Sequence, residues 1–165
     1  MSVDVEIRRF QASDLVAVVE FSLRAWEPVF ESLREVLGDP IFERLHDPDW
    51  RAVQAEAVRS SCTSEDRHVF VAVAGARPVG FAAVALNAFH EGMGVVDIIA
   101  VDPAYQGRGI AQQLMDRSLD YMRAEGMNIA AVETGADRGH VPARALYEKL
   151  GFTELPVVRY LELLE

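Results

Sequence analysis

The apolar positions change period along the chain, and each change marks an expected element. Val3, Val5 and Ile7 alternate with Asp4, Glu6 and Arg8, the two-residue repeat of a half-buried strand that ends near Phe10. Ser13 or Asp14 can then cap a helix whose Leu15, Val18, Val19, Ser22 and Leu23 recur at helical spacing and which fades around Trp26–Pro28. From Glu27 to Asp49 the pattern is mixed, with turn signals at Gly38-Asp39-Pro40 and Asp47-Pro48-Asp49, and Trp50 to Arg59 predicts another helix.

From His68 onward the runs are short and β-rich: Val69–Ala74, a turn at Gly75–Arg77, Val79–Leu86, a connection over Asn87–Gly92, then Met93–Val101. Three such strands in succession predict an antiparallel meander. After Asp102-Pro103 a helical stripe follows, formed by Ile110, Ala111, Leu114, Met115, Leu119 and Met122 and stopped by Gly126. Ile129–Glu133 predicts a strand, Pro142–Leu150 a helix closed by Gly151, and Val157–Leu163 a last strand. A strand–helix alternation after a meander predicts an α/β fold with a mixed sheet.

Composition narrows the class. The chain has 165 residues, half of them apolar, and no repeat or linker that would separate two halves, so residues 1–165 are expected to form one domain with a substantial core. Its net charge of −10 argues against nucleic acid or an anionic membrane as partner and favours a cationic one. The single cysteine, Cys62, makes no internal disulfide, which fits a reducing compartment. The longest uncharged apolar stretch, Pro78 to Phe89, is too short for the ~20 residues of a membrane span, and charges in the first ten residues argue against a secretory signal. A cytoplasmic location is the expectation.

The sharpest local feature is the strand end Val101-Asp102-Pro103-Ala104-Tyr105-Gln106-Gly107-Arg108-Gly109-Ile110-Ala111, which feeds a glycine-bearing loop into an amphipathic helix. Gly107 and Gly109 let backbone N–H groups close on an anion, the helix start adds partial positive charge, and Arg108 adds a full one. The loop is neither a GxxxxGK[ST] phosphate loop nor a GxGxxG dinucleotide turn, so ATP and NAD are poorly supported. A second feature is Pro142-Ala143-Arg144-Ala145-Leu146-Tyr147-Glu148-Lys149-Leu150-Gly151-Phe152.

Together the two resemble the diagnostic motifs of the Gcn5-related N-acetyltransferase (GNAT) family. Gln106, Gly109 and Ala111 match its Q/R-x-x-G-x-G/A acyl-CoA loop, and residues 143–152 match its later tyrosine helix. The resemblance covers residues 69 to 163 well and 3 to 23 loosely. It implies a mixed, mostly antiparallel central sheet of six or seven strands with splayed central strands, flanked by helices. It also implies acetyl-CoA as cosubstrate, no metal, and transfer of the acetyl group to a primary amine by direct attack. On that reading the loop from Gln106 through Gly107, Arg108, Gly109 and Ile110 to Ala111 receives the pyrophosphate. The strand ending at Val101 offers backbone groups to the pantetheine arm, and an N–H near Ile99 or Ala100, unpaired where the strand splays from Ile129–Glu133, stabilises the carbonyl oxygen.

Tyr147 stands where the family's phenol protonates the departing thiolate, against the alternative of a core tyrosine satisfied by backbone. Asp97 interrupts Val95-Val96-Asp97-Ile98-Ile99 in the expected sheet centre and is the leading base, against an Asp bonded to backbone at a bulge. His90, Glu91 and Glu133 compete for that role, and Glu133 could equally bind the amine. His140 departs from the asparagine the family commonly carries there against pantetheine; an imidazole can make that contact or move a proton. Arg138 nearby could reach the adenosine phosphates. The acceptor side is expected around the first helical region, where Trp26, Glu27, Phe30, Asp47, Asp49 and Trp50 combine aromatic faces with carboxylates suited to a small cationic amine. A second copy of the chain is a candidate partner. The rival class is a non-catalytic acyl-CoA sensor or interaction module, which the tyrosine disfavours.

Overall fold

The computed structural model describes residues 4–164, so Val3 of the expected first strand lies outside the described residues. The strands are β1 (Glu6–Arg9), β2 (His68–Ala74), β3 (Arg77–Leu86), β4 (Met93–Val101) and β5 (Ile129–Val132). The helices are α1 (Leu15–Leu37), α2 (Asp39–Leu45), α3 (Trp50–Thr63), α4 (Ile110–Ala124) and α5 (Val141–Lys149). The chain packs into two compact units. The first holds residues 4–25 and Gln54–Glu133, the second Trp26–Val53 and the segment from Thr134 onward. None of these helices is long and apolar enough to cross a membrane.

In the first unit the sheet has the order β1-β2-β3-β4-β5, antiparallel except where β4 and β5 run parallel. The meander and the mixed sheet are therefore as the patterning predicts. The strand count is not: five strands stand where six or seven were expected. Phe70, Val71, Phe81 and Val84 from the sheet are buried, as are Ile110, Leu114 and Met115 of α4, the apolar stripe read from the sequence, and Phe81 meets Phe21 of α1 with ring centroids 6.2 Å apart. Two glycines let α4 lie close on the sheet. A Cβ at Gly80 would come within 3.1 Å of Leu114, and one at Gly94 within 2.7 Å of Met122.

In the second unit α1 does not fade at Pro28 but runs through it to Leu37. A proline costs that turn one N–H donor, while Trp26, Val29, Phe30, Leu33 and Leu37 keep the helical period across it. Phe30 stacks on Trp50 with ring centroids 4.4 Å apart and meets Phe42 and His46 edge-on, so this aromatic group forms the local core. A Cβ at Gly139 would lie 2.9 Å from the Cα of Val29, so a glycine is needed for its turn to touch α1. The expected strand Val157–Leu163 does not form. Residues 152–164 carry no regular structure, and Leu155, Val157, Val158 and Tyr160 are exposed. The doublets Val157-Val158 and Leu163-Leu164 break the two-residue repeat, so no single face exists for a sheet to bury.

Candidate active site

In the first unit the site begins where β4 loses a neighbour. β5 pairs with β4 only from Met93↔Ile129 to Val96↔Val132, and β4 continues five residues further beside β3 alone. The phase of that remaining ladder decides which backbone groups are open. Asp102 N donates to Val79 O at 2.8 Å, so the register partners 102 and 79 form a hydrogen-bonded pair. Such pairs alternate along an antiparallel ladder, so Ala100 bonds to Phe81, while Ile99 and Val101 turn their N–H and C=O groups away from β3. Of the two expected oxyanion donors, Ile99 is thus the open one and Ala100 is committed to the sheet. The Val101 carbonyl accepts from Gln106 Nε2 at 3.1 Å, which braces the loop and leaves the Val101 N–H open.

Asp102 sets the loop's departure. It is 2% exposed, accepts from the Ala104 N–H at 3.0 Å, and pairs with Arg24 at 3.0 Å and Arg77 at 3.2 Å. Nothing in the sequence beyond the Asp-Pro turn signal points to this role. Gly107 and Gly109 take φ of 72° and 78°, the left-handed region that favours glycine. Gly109 is the N-cap of α4 and supplies no capping side chain, so the Ile110 and Ala111 N–H groups open the helix uncapped. A Cβ at either glycine would meet open space. The Arg108 guanidinium folds back onto its own loop, donating to Ala104 O at 3.1 Å and lying 5.2 Å from the Tyr105 ring centroid.

Asp97 sits at a bulge: the register steps from Ala83↔Ile98 to Val84↔Val96, leaving it unpaired in the ladder. Its side chain is exposed, pairs with Arg67 Nε at 3.0 Å and stands 3.5 Å from the Ser61 hydroxyl. Its bonds are to side chains, not to backbone. Glu133 is exposed one residue beyond β5, and His90 and Glu91 are exposed in the β3–β4 connection. Burial raises the Cys62 thiol to about 12, so it is an inert apolar group.

In the second unit the end of α5 explains the spelling of the tyrosine motif. Gly151 at φ 84° donates to Glu148 O, and Phe152 donates to Tyr147 O, both at 3.0 Å. This is the Schellman closure, with its apolar contact supplied by Phe152 against Tyr147, ring centroids 5.9 Å apart. The ring of Tyr147 is thereby fixed and 8% exposed. Its hydroxyl has no hydrogen-bond partner among the described residues, yet it is not sealed from open space. A core tyrosine satisfied by backbone is therefore excluded. Burial raises its pKa, so the phenol stays protonated at neutral pH.

His140 is the N-cap of α5, one 3-10 turn after Asp137, and its Nδ1 lies 2.5 Å from Asp137 Oδ1. Asp137 in turn accepts from Ser32 Oγ at 2.5 Å and from the Gly139 N–H at 3.1 Å. Burial opposes ionisation of Asp137, but the bonds from Ser32 and His140 outweigh it and hold its pKa below the ordinary value. Arg138 is bound to Glu35 through both Nε and Nη2 and is not a free cation. Of the acceptor-side residues, Phe30 and Trp50 are core, Glu27 pairs with Arg51, and Trp26 keeps a part-exposed ring. Among the described residues no cluster of three or more His, Cys, Asp or Glu could hold a metal ion.

The glycine loop after β4 and the tyrosine helix α5 are the two motifs whose spelling resembles the acetyltransferase family. Residues 26–152 match the acetyltransferase (GNAT) family model, and the chain belongs to that family. It is 44% identical over 64 residues to a mycothiol acetyltransferase of Beutenbergia cavernae, covering 39% of this chain and 21% of that protein. It is 30% identical over 122 residues to the streptothricin acetyltransferase of Streptomyces lavendulae, covering 73% and 62%. The chain thus spans about a fifth of the mycothiol enzyme's length. An aminoglycoside N-acetyltransferase solved in complex with CoA shares the fold at TM-score 0.67 and 17% identity, covering 98% of this chain and 96% of that one.

Proposed function

We propose that the protein transfers the acetyl group of acetyl-CoA to the primary amine of a small cationic acceptor by direct attack. The observation that carries the reading is the open N–H of Ile99 on a strand whose end feeds the Gly107–Gly109 helix start. One element then serves both ends of the cosubstrate. The uncapped N–H groups of Ile110 and Ala111, with the helix dipole, take the pyrophosphate. Ile99 takes the negative charge that forms on the acyl oxygen, and Val101 N–H takes a pantetheine carbonyl.

Tyr147 gives its proton to the leaving thiolate, a role that suits a phenol kept protonated and without a protein partner. The attacking nitrogen must lose a proton, and two groups can accept it: Asp97 at the bulge of β4 and His140 at the head of α5. Trp26 and Glu133 remain the residues proposed to meet the acceptor. The cationic preference rests on the net charge of −10, and the small-molecule acceptor is supported by the streptothricin acetyltransferase relative.

Thiol release from acetyl-CoA across streptothricin, an aminoglycoside, spermidine and an alanine-initiated peptide tests this. A cationic small amine should give the fastest release, and raising salt should weaken its lead over neutral amines. Binding of acetyl-CoA with no thiol release from any amine would establish the sensor instead.

A further inference from the structure

Ser32, Asp137 and His140 form a hydrogen-bonded line within the second unit. Ser32 is 1% exposed, and the Asp137 and His140 side chains are 10% and 21% exposed. The order matters, because the serine donates to the carboxylate and not to the imidazole, so this is no nucleophile with its base. The two carboxylate oxygens have separate partners. Oδ2 is anchored by the Ser32 hydroxyl and the Gly139 N–H, and Oδ1 faces His140 Nδ1.

An ionised carboxylate only accepts, so in the neutral imidazole Nδ1 carries the proton and Nε2 presents its lone pair. That Nε2 has no partner among the described residues. Tyr147, whose hydroxyl is also unpartnered among the described residues, follows seven residues later on α5, the helix that His140 precedes as N-cap. Asp97, by contrast, already holds Arg67 and Ser61 and ties the bulge of β4 to α3.

We propose that His140 Nε2 is the proton acceptor for the attacking amine, with Asp137 and Ser32 as its positioning residues. This rests on the acetyltransfer reading above. An ammonium proton passes to Nε2 and gives an imidazolium, whose charge Asp137 offsets. The freed lone pair forms the C–N bond, the C–S bond breaks, and Tyr147 protonates the sulfur. The second nitrogen proton returns to the phenolate through solvent, and the imidazolium releases its own to solvent.

The charged groups facing this line are few. Arg138 is neutralised by Glu35 with Glu31 alongside, and Arg144 donates to the carbonyls of Gly135 and Asp137, holding the turn that carries the imidazole.

The test uses acetyl-CoA with whichever of streptothricin, an aminoglycoside and spermidine releases thiol fastest. His140→Gln should lower kcat by about 100-fold or more while leaving the acetyl-CoA KM within a few-fold, and the loss should shrink at high pH, where more amine arrives neutral. Asp137→Asn should lower kcat by about 10–100-fold. It should also abolish the fixed Nδ1–H tautomer expected in the wild-type imidazole ¹⁵N spectrum, a readout independent of turnover. His140→Asn separates this role from a pantetheine contact, which an asparagine side chain makes equally well. An Asn variant as slow as the Gln variant supports proton transfer, and one with wild-type kcat overturns it. An equal loss at every pH, or a wild-type spectrum averaging both tautomers, also overturns it. A wild type that releases no thiol with any of the three amines brings down the acetyltransfer reading, and this inference with it.

Discussion

On the proposed acetyl-transfer reading, the two units offer different materials to a ligand. In the first, the groups offered to a ligand are backbone: the open N–H of Ile99 and Val101 and the uncapped start of α4 behind Gly109. In the second they are side chains, the Tyr147 phenol and the His140 imidazole, each held by neighbours: Phe152 for the ring, Asp137 and Ser32 for the imidazole. A backbone site tolerates most substitutions that keep its φ and ψ. A side-chain site fails with the loss of one atom.

That contrast predicts its largest effect at the smallest change. Tyr147→Phe removes one oxygen and should lower kcat by about 100-fold or more, since general-acid assistance is typically worth ~10²–10⁴-fold. Acetyl-CoA affinity should hold. The hydroxyl has no protein partner among the described residues, so its loss breaks no bond and Tm should not fall. Rapid-quench rates and thermal melts of the same samples check both. A normal rate of thiol release removes Tyr147 from the chemistry, and a large drop in Tm would show that its oxygen holds the fold.

The next test puts a side chain into the backbone site. A Cβ at Gly109 has open space but inherits φ 78°, so Gly109→Ala and Gly109→Asp should lose similar stability, roughly 1–2 kcal/mol from the left-handed conformation. Aspartate can recover part of that, because it tolerates this region better than alanine. Their CoA affinities should diverge, with the Asp variant about 10-fold weaker or more because it brings negative charge to the pyrophosphate. Calorimetric titration decides it. Equal affinities would place the phosphates elsewhere.

A smaller effect should separate the packing of the units. Gly139→Ala meets the Val29 Cα at 2.9 Å, which cannot swing away, whereas Gly94→Ala meets Met122, whose chain can partly re-route. Overpacking costs typically ~1–3 kcal/mol, and Gly139→Ala should fall at the higher end. Denaturant midpoints measure this, and the reverse order would contradict the packing described for α1 and its turn.

The same division governs what the sequence made legible. The meander and α4 were readable because strict two-residue and 3.6-residue repeats are local consequences of burying one face. The anion loop was readable because glycine is the residue a left-handed turn favours. The bulge at Asp97 was among the alternatives, since a charge inside an apolar run is conspicuous. The side-chain network was not readable: Ser32 and Asp137 are 105 positions apart, and nothing local in either segment marks the bond. Phe30 read as a pocket wall because aromatic residues at helical spacing look alike in core and pocket. The choice of Ile99 over Ala100 needed the phase of a ladder, which depends on the partner strand. Pro28 ended α1 on paper because its lost donor is a local cost, and the Phe30–Trp50 packing that outweighs it is not local.

The smallest effect concerns a titrating group in the first unit, away from the proposed chemistry. His68 stacks on Tyr121 with centroids 3.8 Å apart and shares a 2.8 Å hydrogen bond with Arg9, which donates to its Nδ1. Burial, then Arg9 and Arg117, push its pKa down to about 4 from the ordinary 6.5. Between those values the unfolded chain binds a proton that the folded chain refuses. Stability should therefore rise with pH across that window, be complete above about 6.5, and be lost as pH falls toward 4. His68→Gln keeps a side-chain acceptor for Arg9 and cannot titrate, so its Tm should fall less than wild type between pH 7 and pH 5, while acetyl transfer at pH 7 is unchanged. The shift should be a few degrees at most, because the ring is part-exposed and solvent screens its two arginines. Parallel Tm curves for wild type and variant would mean that His68 is protonated as readily in the folded chain as in the unfolded one, and that the Arg9 contact does not hold it neutral.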